Sequence, residues 1–532
     1  MLRSRFVLLL ALCATLVATW VAGCRPAPAA TPQPAAAPAT GAPAATPSPS
    51  ALTPQRGGTL TVAVAADPDG LDPHKTVAAA TFQITRNIYD TLVQTDEKGR
   101  LVPDLALRWA PSADGLQWTF TLREGVHFHN GRLMTADDVV YSFQRLLSPA
   151  TAGPRAKDFA VIDSVSAPDA KTVVFTLKRP SAAFLSNLAY GWAAIVPKEA
   201  ADTLRDHPIG TGPFKLVEWV KDSHVALERF DGYFVPGVPY LDKVTFQVIT
   251  DPAARLAALR TGEVDVIPEL PAQDVAAVRQ DPGLKMVEVP FNGIQYIAVN
   301  NKMPPFDNLK VRQALNYAVD KQAVVDVAQF GIGVPIGSHM PPVTDYYVDL
   351  SKRYPYDPAK AKQLLAEAGY PDGFETTMIL PQPYDYHIRN GQVVAEQLAK
   401  VGIKVKLETM EWGTWLQQVY NGRQFALTAI GATGRLDPEP FLSPYVSTSA
   451  ENMRNYANKT FDELAAQGSV EADPAKRHAI YAQMQTLLAD DAAAIFLLAP
   501  LSSVTMQKDV QGWVVYPIDI YDLRTVWKAN GR

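Results

Sequence analysis

Cysteine is nearly absent: the 532 residues hold two, Cys13 and Cys24. With Cys13 inside an N-terminal apolar run, neither a disulfide framework nor a thiolate metal cluster can be built. Histidine is scarce too, with eight in the chain. His127 and His129 alternate on a predicted strand and share a face. Two imidazoles make only part of a zinc site, no third ligand stands at ligand spacing, and a structural role is expected. Gly-x-Ser-x-Gly, His-Glu-x-x-His and the phosphate-loop pattern are missing. "GTGPF" (Gly210–Phe214) lacks the lysine that cradles a phosphate and is read as a tight turn. Basic blocks are missing as well. The 49 Lys and Arg against 54 Asp and Glu give a net charge of −5, which is not the footprint of a nucleic-acid partner.

The N-terminus carries what the rest lacks. Arg3 and Arg5 precede an apolar run from Phe6 to about Ala22. A membrane span needs about 20 apolar residues, and this run is short and broken. A basic start, an apolar middle and small residues at the end are the plan of a secretory signal. The end, Val21-Ala22-Gly23-Cys24, resembles the bacterial lipobox. That resemblance implies cleavage before Cys24 and acylation of its sulfur and new amino group. Several acyl chains would then anchor the protein where one would not. From Arg25 to Pro54 there are nine prolines, eleven alanines and one charge. Such a composition forms no core and reads as an extended tether reaching at most about 90 Å.

From about Arg56 onward the chain is too long for one core, which stops growing at roughly 250–300 residues. Strand and helix signals alternate. "GTLTVAVAAD" (Gly58–Asp67) and "DKVTFQVIT" (Asp242–Thr250) read as strands. Asp251 is predicted to cap a helix opening at Pro252, with Leu256 and Leu259 buried and Gly262 as the stop. Val264–Ile267 then begins a strand, completing a unit of a parallel sheet. "FETTMIL" (Phe374–Leu380), a helix from about Arg389, and "IKVKLETM" (Ile403–Met410) repeat that grammar. Asp-Pro-Ala recurs at Asp251, Asp357 and Asp473, and each is predicted to start a helix. In "MTADDVVYSF", Asp137 and Asp138 are explained by a capping box with Thr135 more simply than by acid–base chemistry. "AAIFLLAP" after the Asp490–Asp491 pair is a further strand. The reading is two α/β lobes, with a ligand between them where strand ends converge.

"FHNGRLMTADDVVYSFQRL" (Phe128–Leu146) resembles the signature region of the extracytoplasmic solute-binding proteins of family 5, receptors of ABC importers. "PDLALRWAPSADGLQWTFTLREGVHF" precedes it. "IGTGPFKLVEWV", "DGYFVPGVPYLDKVTFQVI", "LRTGEVDVI", "GIQYIAVNNKMPPFDNLKVRQALNYAVD" and "YDPAKAKQLLAEAGYPDGF" follow in family order. The resemblance covers nearly all of Arg56 to Arg532. It implies an α/β, two-lobed periplasmic-binding-protein-like fold, type II and cluster C-like, with a discontinuous first lobe. Expected boundaries are a signal peptide over 1–23 and a lipidated tether over 24–55. Lobe I would span 56–290 and 492–532, with a subdomain inserted at about 88–206, and lobe II would span 291–491. The resemblance further implies a monomeric, extracytoplasmic lipoprotein without cofactor or catalytic residue. Its partners would be a small solute, a permease and, through the anchor, the membrane.

In peptide-binding members an aspartate meets the ligand's amino group from a loop that here reads "GATGRLDPEPFL" (Gly431–Leu442). Gly434 stands in its place, and Asp437 is the possible substitute, although Asp before Pro is also turn chemistry. The arginine that meets the ligand's carboxylate in dipeptide binders is replaced by Gln382, before Pro383 and Tyr384. Both charge clamps are missing, and a buried carboxylate without a counter-charge costs several kcal/mol. Arg435 and Arg389 are candidates to meet an acidic or differently shaped ligand. Trp412 and Trp415 are read as a platform for a sugar ring or apolar side chain, or as packing. Asp67, in the loop "ADPDGLDPHKT", is expected to line the cleft or order its turn. A peptide leads among possible solutes, followed by an oligosaccharide, a glutathione-like compound or a metal chelate. A solute sensor and a tethered hydrolase are the rival classes.

Overall fold

A computed structural model of the chain describes residues 53–529 apart from 383, 434, 435, 472, 517 and 519. The signal segment, Cys24 and nearly all of the tether lie outside the described residues. Among the described residues no helix is long and apolar enough to cross a membrane.

One mixed sheet of twelve strands runs through the body. Its spine is a single strand, Ala494–Gln507, buried over most of its 14 residues. The first half of this strand pairs antiparallel with Gly293–Val299, from Ala494 to Leu498. The second half pairs antiparallel with Leu284–Pro290, from Leu501 to Gln507. The chain therefore crosses from one half of the sheet to the other at residues 291–292 and again in the middle of the spine. Two adjacent extended segments form the passage, closed by the Phe291 amide, which donates to the Pro500 carbonyl at 2.8 Å.

On the first-lobe side, Thr59–Val64 lies parallel to both Lys243–Val248 and Val266–Ile267. His224–Arg229 and Phe214–Val220 extend the sheet antiparallel. On the second-lobe side, Leu427–Thr433 pairs antiparallel with Gly293–Val299. Phe374–Gln382 lies parallel to both Leu427–Thr433 and Ile403–Glu411. The inserted subdomain has its own antiparallel four-stranded sheet, ordered Ala106–Pro111, Gln117–Leu122, Thr172–Leu177, Ile162–Asp169. Its core is a knot of phenylalanines, with Phe143 edge-on to Phe175 at 4.8 Å and Phe120 edge-on to Phe175 at 5.5 Å. Each sheet face has its own apolar core, because a strand buried on both sides needs cover on both.

Local chemistry explains why the helices start where they do. Asp251, Asp357 and Asp473 each accept the amide of the third helical residue, at 2.7, 2.9 and 2.9 Å, with Pro at the first position. Gly262 ends the first of these helices at φ +77°, a conformation glycine takes without strain. Asp138 accepts the Thr135 amide at 2.9 Å, the box expected from the sequence, and also pairs with Arg132 at 2.6 Å.

Three expectations shift. The helix placed at about Arg389 begins at Asp385. The strand expected from Val264 forms only at Val266–Ile267. The glycines of "GTGPF" serve close packing: a Cβ on Gly210 would lie 2.0 Å from the Ile88 carbonyl oxygen, and one on Gly212 2.5 Å from the Ile88 carbonyl carbon.

Candidate functional site

Strand direction defines the site. Thr59–Val64 and Lys243–Val248 run opposite to the spine's second half, so their C-terminal ends point toward its middle. Phe374–Gln382, Ile403–Glu411 and Leu427–Thr433 run with the spine's first half, so theirs point to the same place from the other side. Loops at the C-terminal ends of parallel strands are where α/β sheets bind ligands. Among the described residues they are Ala65–Pro68 and residues 249–251 from one lobe, and residues 384, 412 and 436–437 from the other.

The second-lobe strand ends carry an aromatic group. Gln382 and Glu411 are register partners on the last rung. Tyr384 precedes the helix Asp385–Ala399 and meets Trp412 edge-on at 5.0 Å. Trp412 stacks on Trp415 with 5.0 Å between centroids and 8° between planes. Glu411 holds this short helix start in place, accepting the Gly413 amide at 2.8 Å and the Thr414 amide at 2.9 Å. Those two amides, Gly413 first, hold its carboxyl below the ordinary value. Trp415 is core: it is 1 % exposed, and its Nε1 donates to Thr428 Oγ1 at 3.0 Å. Trp412, only half-buried, rests on it as the outer ring of the stack.

Sequence reasoning missed His387. It is 4 % exposed, beside Tyr386 at 4.3 Å, and burial lowers its pKa to about 3, so the imidazole is neutral. Its Nδ1 is buried without a hydrogen-bond partner. Gly431 on the adjacent strand leaves room for it, since a Cβ there would lie 3.1 Å from His387 Cε1. One turn on, Asn390 donates to Gln295 Oε1, and Gln329 donates to Asn390 Oδ1 at 2.8 Å. Polar residues three apart on a stripe otherwise given to Val394 and Leu398 were the available signal. The layer behind the aromatic group is thus polar and uncharged.

The other expected residues scatter. Asp67, at the first-lobe strand end, accepts the Trp219 indole N–H at 3.1 Å. Asp437 is not a free anion: Arg477 donates to both of its oxygens, at 2.8 and 2.9 Å, with both side chains buried. A carboxylate this far from water needs such a counter-charge. Arg389 points away from the strand ends. Its Nε donates to the Ala328 carbonyl at 2.8 Å, and its guanidinium lies over Phe330 at 5.2 Å. Arg435 and Cys24 lie outside the described residues. The structure therefore sets Tyr384 against Trp412 beside the rung that carries Gln382, puts Asp67 at a first-lobe strand end, and gives Asp437, Arg389 and Trp415 partners of their own. His127 Nδ1 sits at 3.0 Å from the Gly125 carbonyl, and His129 Nε2 at 3.0 Å from the Gly212 carbonyl.

A sheet crossed twice between two lobes, with an aromatic cluster at the second-lobe strand ends, defines a two-lobed binding protein. The family model "Bacterial extracellular solute-binding proteins, family 5 Middle" matches residues 100–453, and the chain belongs to that family. It is similar to the dipeptide-binding protein of Escherichia coli (strain K12), 33 % identical over 508 residues, which are 88 % of this chain and 94 % of that one. It is also similar to the glutathione-binding protein GsiB of Pectobacterium atrosepticum, 33 % identical over 478 residues covering 86 % and 92 %. Among solved structures it resembles the murein tripeptide binding protein MppA in its unliganded open form. There the TM-score is 0.82 at 26 % identity, covering 90 % of this chain and 98 % of that one. It resembles DppA of Helicobacter pylori in complex with the peptide STSA at a TM-score of 0.69 and 31 % identity, covering 89 % and 99 %.

Proposed function

We propose that this chain is the substrate-binding lipoprotein of an ABC importer, capturing a peptide or related small organic solute between its lobes by hinge closure. One observation carries the reading. Superposition is closer on an unliganded open form than on a peptide complex, although the complex is the more similar in sequence. A rigid rotation between lobes lowers a global superposition while leaving each lobe unchanged, so the contrast is that of an open receptor awaiting its solute. Solute touching both lobes tips such an equilibrium by its differential affinity for the closed state.

In this reading Gln382, Tyr384 and Trp412 receive the solute on the second lobe, and the loop at Asp67 closes on it from the first. The second lobe's strand ends carry Gln382 and the buried, neutral His387, and the Glu411 carboxylate beside Gln382 is already taken by the Gly413 and Thr414 amides. A free dipeptide, with a charge at each terminus, is therefore the weaker ligand, and a longer or modified peptide such as a glutathione-like compound is the better one. Lobe I would be 56–290 with the end of the chain, and lobe II would follow the passage at residues 291–292. Cys24 would hold the monomeric body at the membrane beside its permease.

Titration calorimetry of the mature chain tests this against free dipeptides, tri- to pentapeptides and oxidised and reduced glutathione. Saturable binding of a longer or modified peptide, weakened about tenfold or more by Trp412→Ala at unchanged melting temperature, is expected. Absence of binding to all of them, or full affinity in W412A, would sink it.

A further inference from the structure

An open cavity of about 440 Å³ lies at the end of the second lobe opposite the strand ends of the solute site. Asn300, in its lining, follows the strand Gly293–Val299, which runs away from the crossing. Phe425, also in the lining, precedes the strand Leu427–Thr433, which runs back toward it. None of Gln382, Tyr384, Trp412, Leu436 and Asp437 lines this cavity. Its size falls in the ~300–1,000 Å³ range of small-molecule pockets. Met303, Ile379 and Phe425 give it an apolar side.

Its polar side is built on one buried residue. The Asn300 Nδ2 donates to the Arg423 carbonyl at 3.2 Å and the Phe425 carbonyl at 2.9 Å, and its Oδ1 accepts from Asn455 Nδ2 at 3.0 Å. Arg423 and Asn455, both in the lining, have left-handed backbones, with φ +56° and +53°. Asparagine tolerates that conformation, whereas an arginine there is uncommon. Glycine would take the position without strain, yet the adjacent glycine, Gly422, sits at φ −81°. A long cationic side chain is thus kept at a backbone cost, a pattern that gathers at ligand sites.

The charges of the lining are unequal. Arg423 Nη2 reaches the Ala450 carbonyl over 3.4 Å, and its Nε is buried without a partner. Lys302 is exposed, and neither it nor Arg423 forms an ion pair among the described residues. Glu408 is the acid of the lining, and Lys406, from outside it, pairs with it at 2.8 Å. Glu451, exposed on the adjoining loop, pairs with neither cation. A guanidinium with unspent donors beside a free ammonium is the donor set that receives a carboxylate. We propose that this cavity is a binding site for a small organic carboxylate with a short apolar body, separate from the solute site and independent of what that site binds.

Ligand-detected NMR on the mature chain tests it with hexanoate, hexan-1-ol and hexylamine, which share an apolar body and differ in head group. Hexanoate is expected to bind, hexan-1-ol about tenfold more weakly, and hexylamine least. Arg423→Gly relieves the left-handed backbone while removing the guanidinium, so the fold is kept and hexanoate should weaken about fivefold. Lys302→Gln, at an exposed position, should weaken it about twofold and decides the matter if R423G folds poorly. Hexanoate binding should survive Trp412→Ala. No hexanoate binding to the wild-type chain, equal binding of all three probes, unchanged affinity in a folded R423G or, failing that, in K302Q, or loss in W412A would each overturn the proposal.

Discussion

At the scale of single residues, burial decides which charges are structural. Asp72, Arg145 and His74 form a buried cluster in the first lobe, with Arg145 donating to Asp72 Oδ1 at 3.0 Å and lying 2.9 Å from His74 Nδ1. A second cluster joins the inserted subdomain to the end of the chain: Asp90, Asp104 and Asp522 against Arg86 and Arg524. Three carboxylates face two guanidinium groups, so one negative charge is in excess. Asp90 takes the consequence. Burial first, and then Asp104, push its carboxyl up to about 7, against the pull of Arg86, Arg524 and the Thr211 hydroxyl 2.8 Å away. Tyr233 is its remaining neighbour, 3.5 Å off. Asp522 goes the other way: burial would raise it, but Arg524 and then Arg86 hold it down to about 2. The signs follow. Asp90 binds its proton more tightly folded than unfolded, so its contribution is fully present below its ordinary value of 3.8 and is lost as pH rises toward 7. Asp522 contributes above 3.8 and loses that contribution as pH falls toward 2. Buried His74, His129 and His387, whose pKa values burial lowers, change stability the other way over the same window, so the test is the difference between two proteins: from pH about 4.5 to about 7.5, urea unfolding should show the wild type losing stability relative to Asp90→Asn. The same pH dependence in wild type and D90N would assign the effect to another group.

At the scale of elements, capping and glycine placement were readable because they act over four or five residues. The three Asp-Pro-Ala starts are the clearest case: each places a carboxylate, a rigid φ and a helix former in the order an N-terminus requires. Asp473 opens the 17-residue helix Pro474–Asp490, which carries Arg477 and so the partner of Asp437. Asp473→Ala should cost about 1 kcal/mol, read as a lower denaturation midpoint with unchanged slope. An unchanged midpoint would mean that tertiary packing alone fixes this helix start. Elements that depend on distant partners were less readable. "AAIFLLAP" marks a buried strand, but nothing in it says that the strand continues to Gln507 and changes partners halfway. Trp412 and Trp415 stand two and five residues past Met410, and the core-like neighbours Leu416 and Val419 pointed Trp415 toward packing. The fold puts Trp415 in the core and leaves Trp412 half-buried on it.

At the scale of the whole molecule, the central fact is the pair of extended segments joining the lobes, one at residues 291–292 and the other at the middle of the spine. Two parallel tethers permit a hinge and resist a twist. A small-angle scattering curve recorded with a bound peptide should show a smaller radius of gyration than the unliganded chain, as lobes close on solute. Identical curves, with binding verified separately, would mean capture without closure. The anchor has its own test: Cys24→Ser should move the protein from the membrane to the soluble fraction, while persistent tight membrane association would refute lipidation at Cys24.

The amino-acid sequence by itself settled the alternation of strands and helices, the three Asp-Pro-Ala helix starts, and membership of a family, because periodicity, caps and long ordered motifs are local in the chain. Tertiary structure alone decided how the polar residues are paired. Asp437 and Arg389 were plausible ligand contacts on paper, and Arg477, 40 positions away, and the Ala328 carbonyl, 61 away, claim them. Burial and pairing depend on what the fold brings alongside, and a partner that distant leaves no mark near the residue it neutralises.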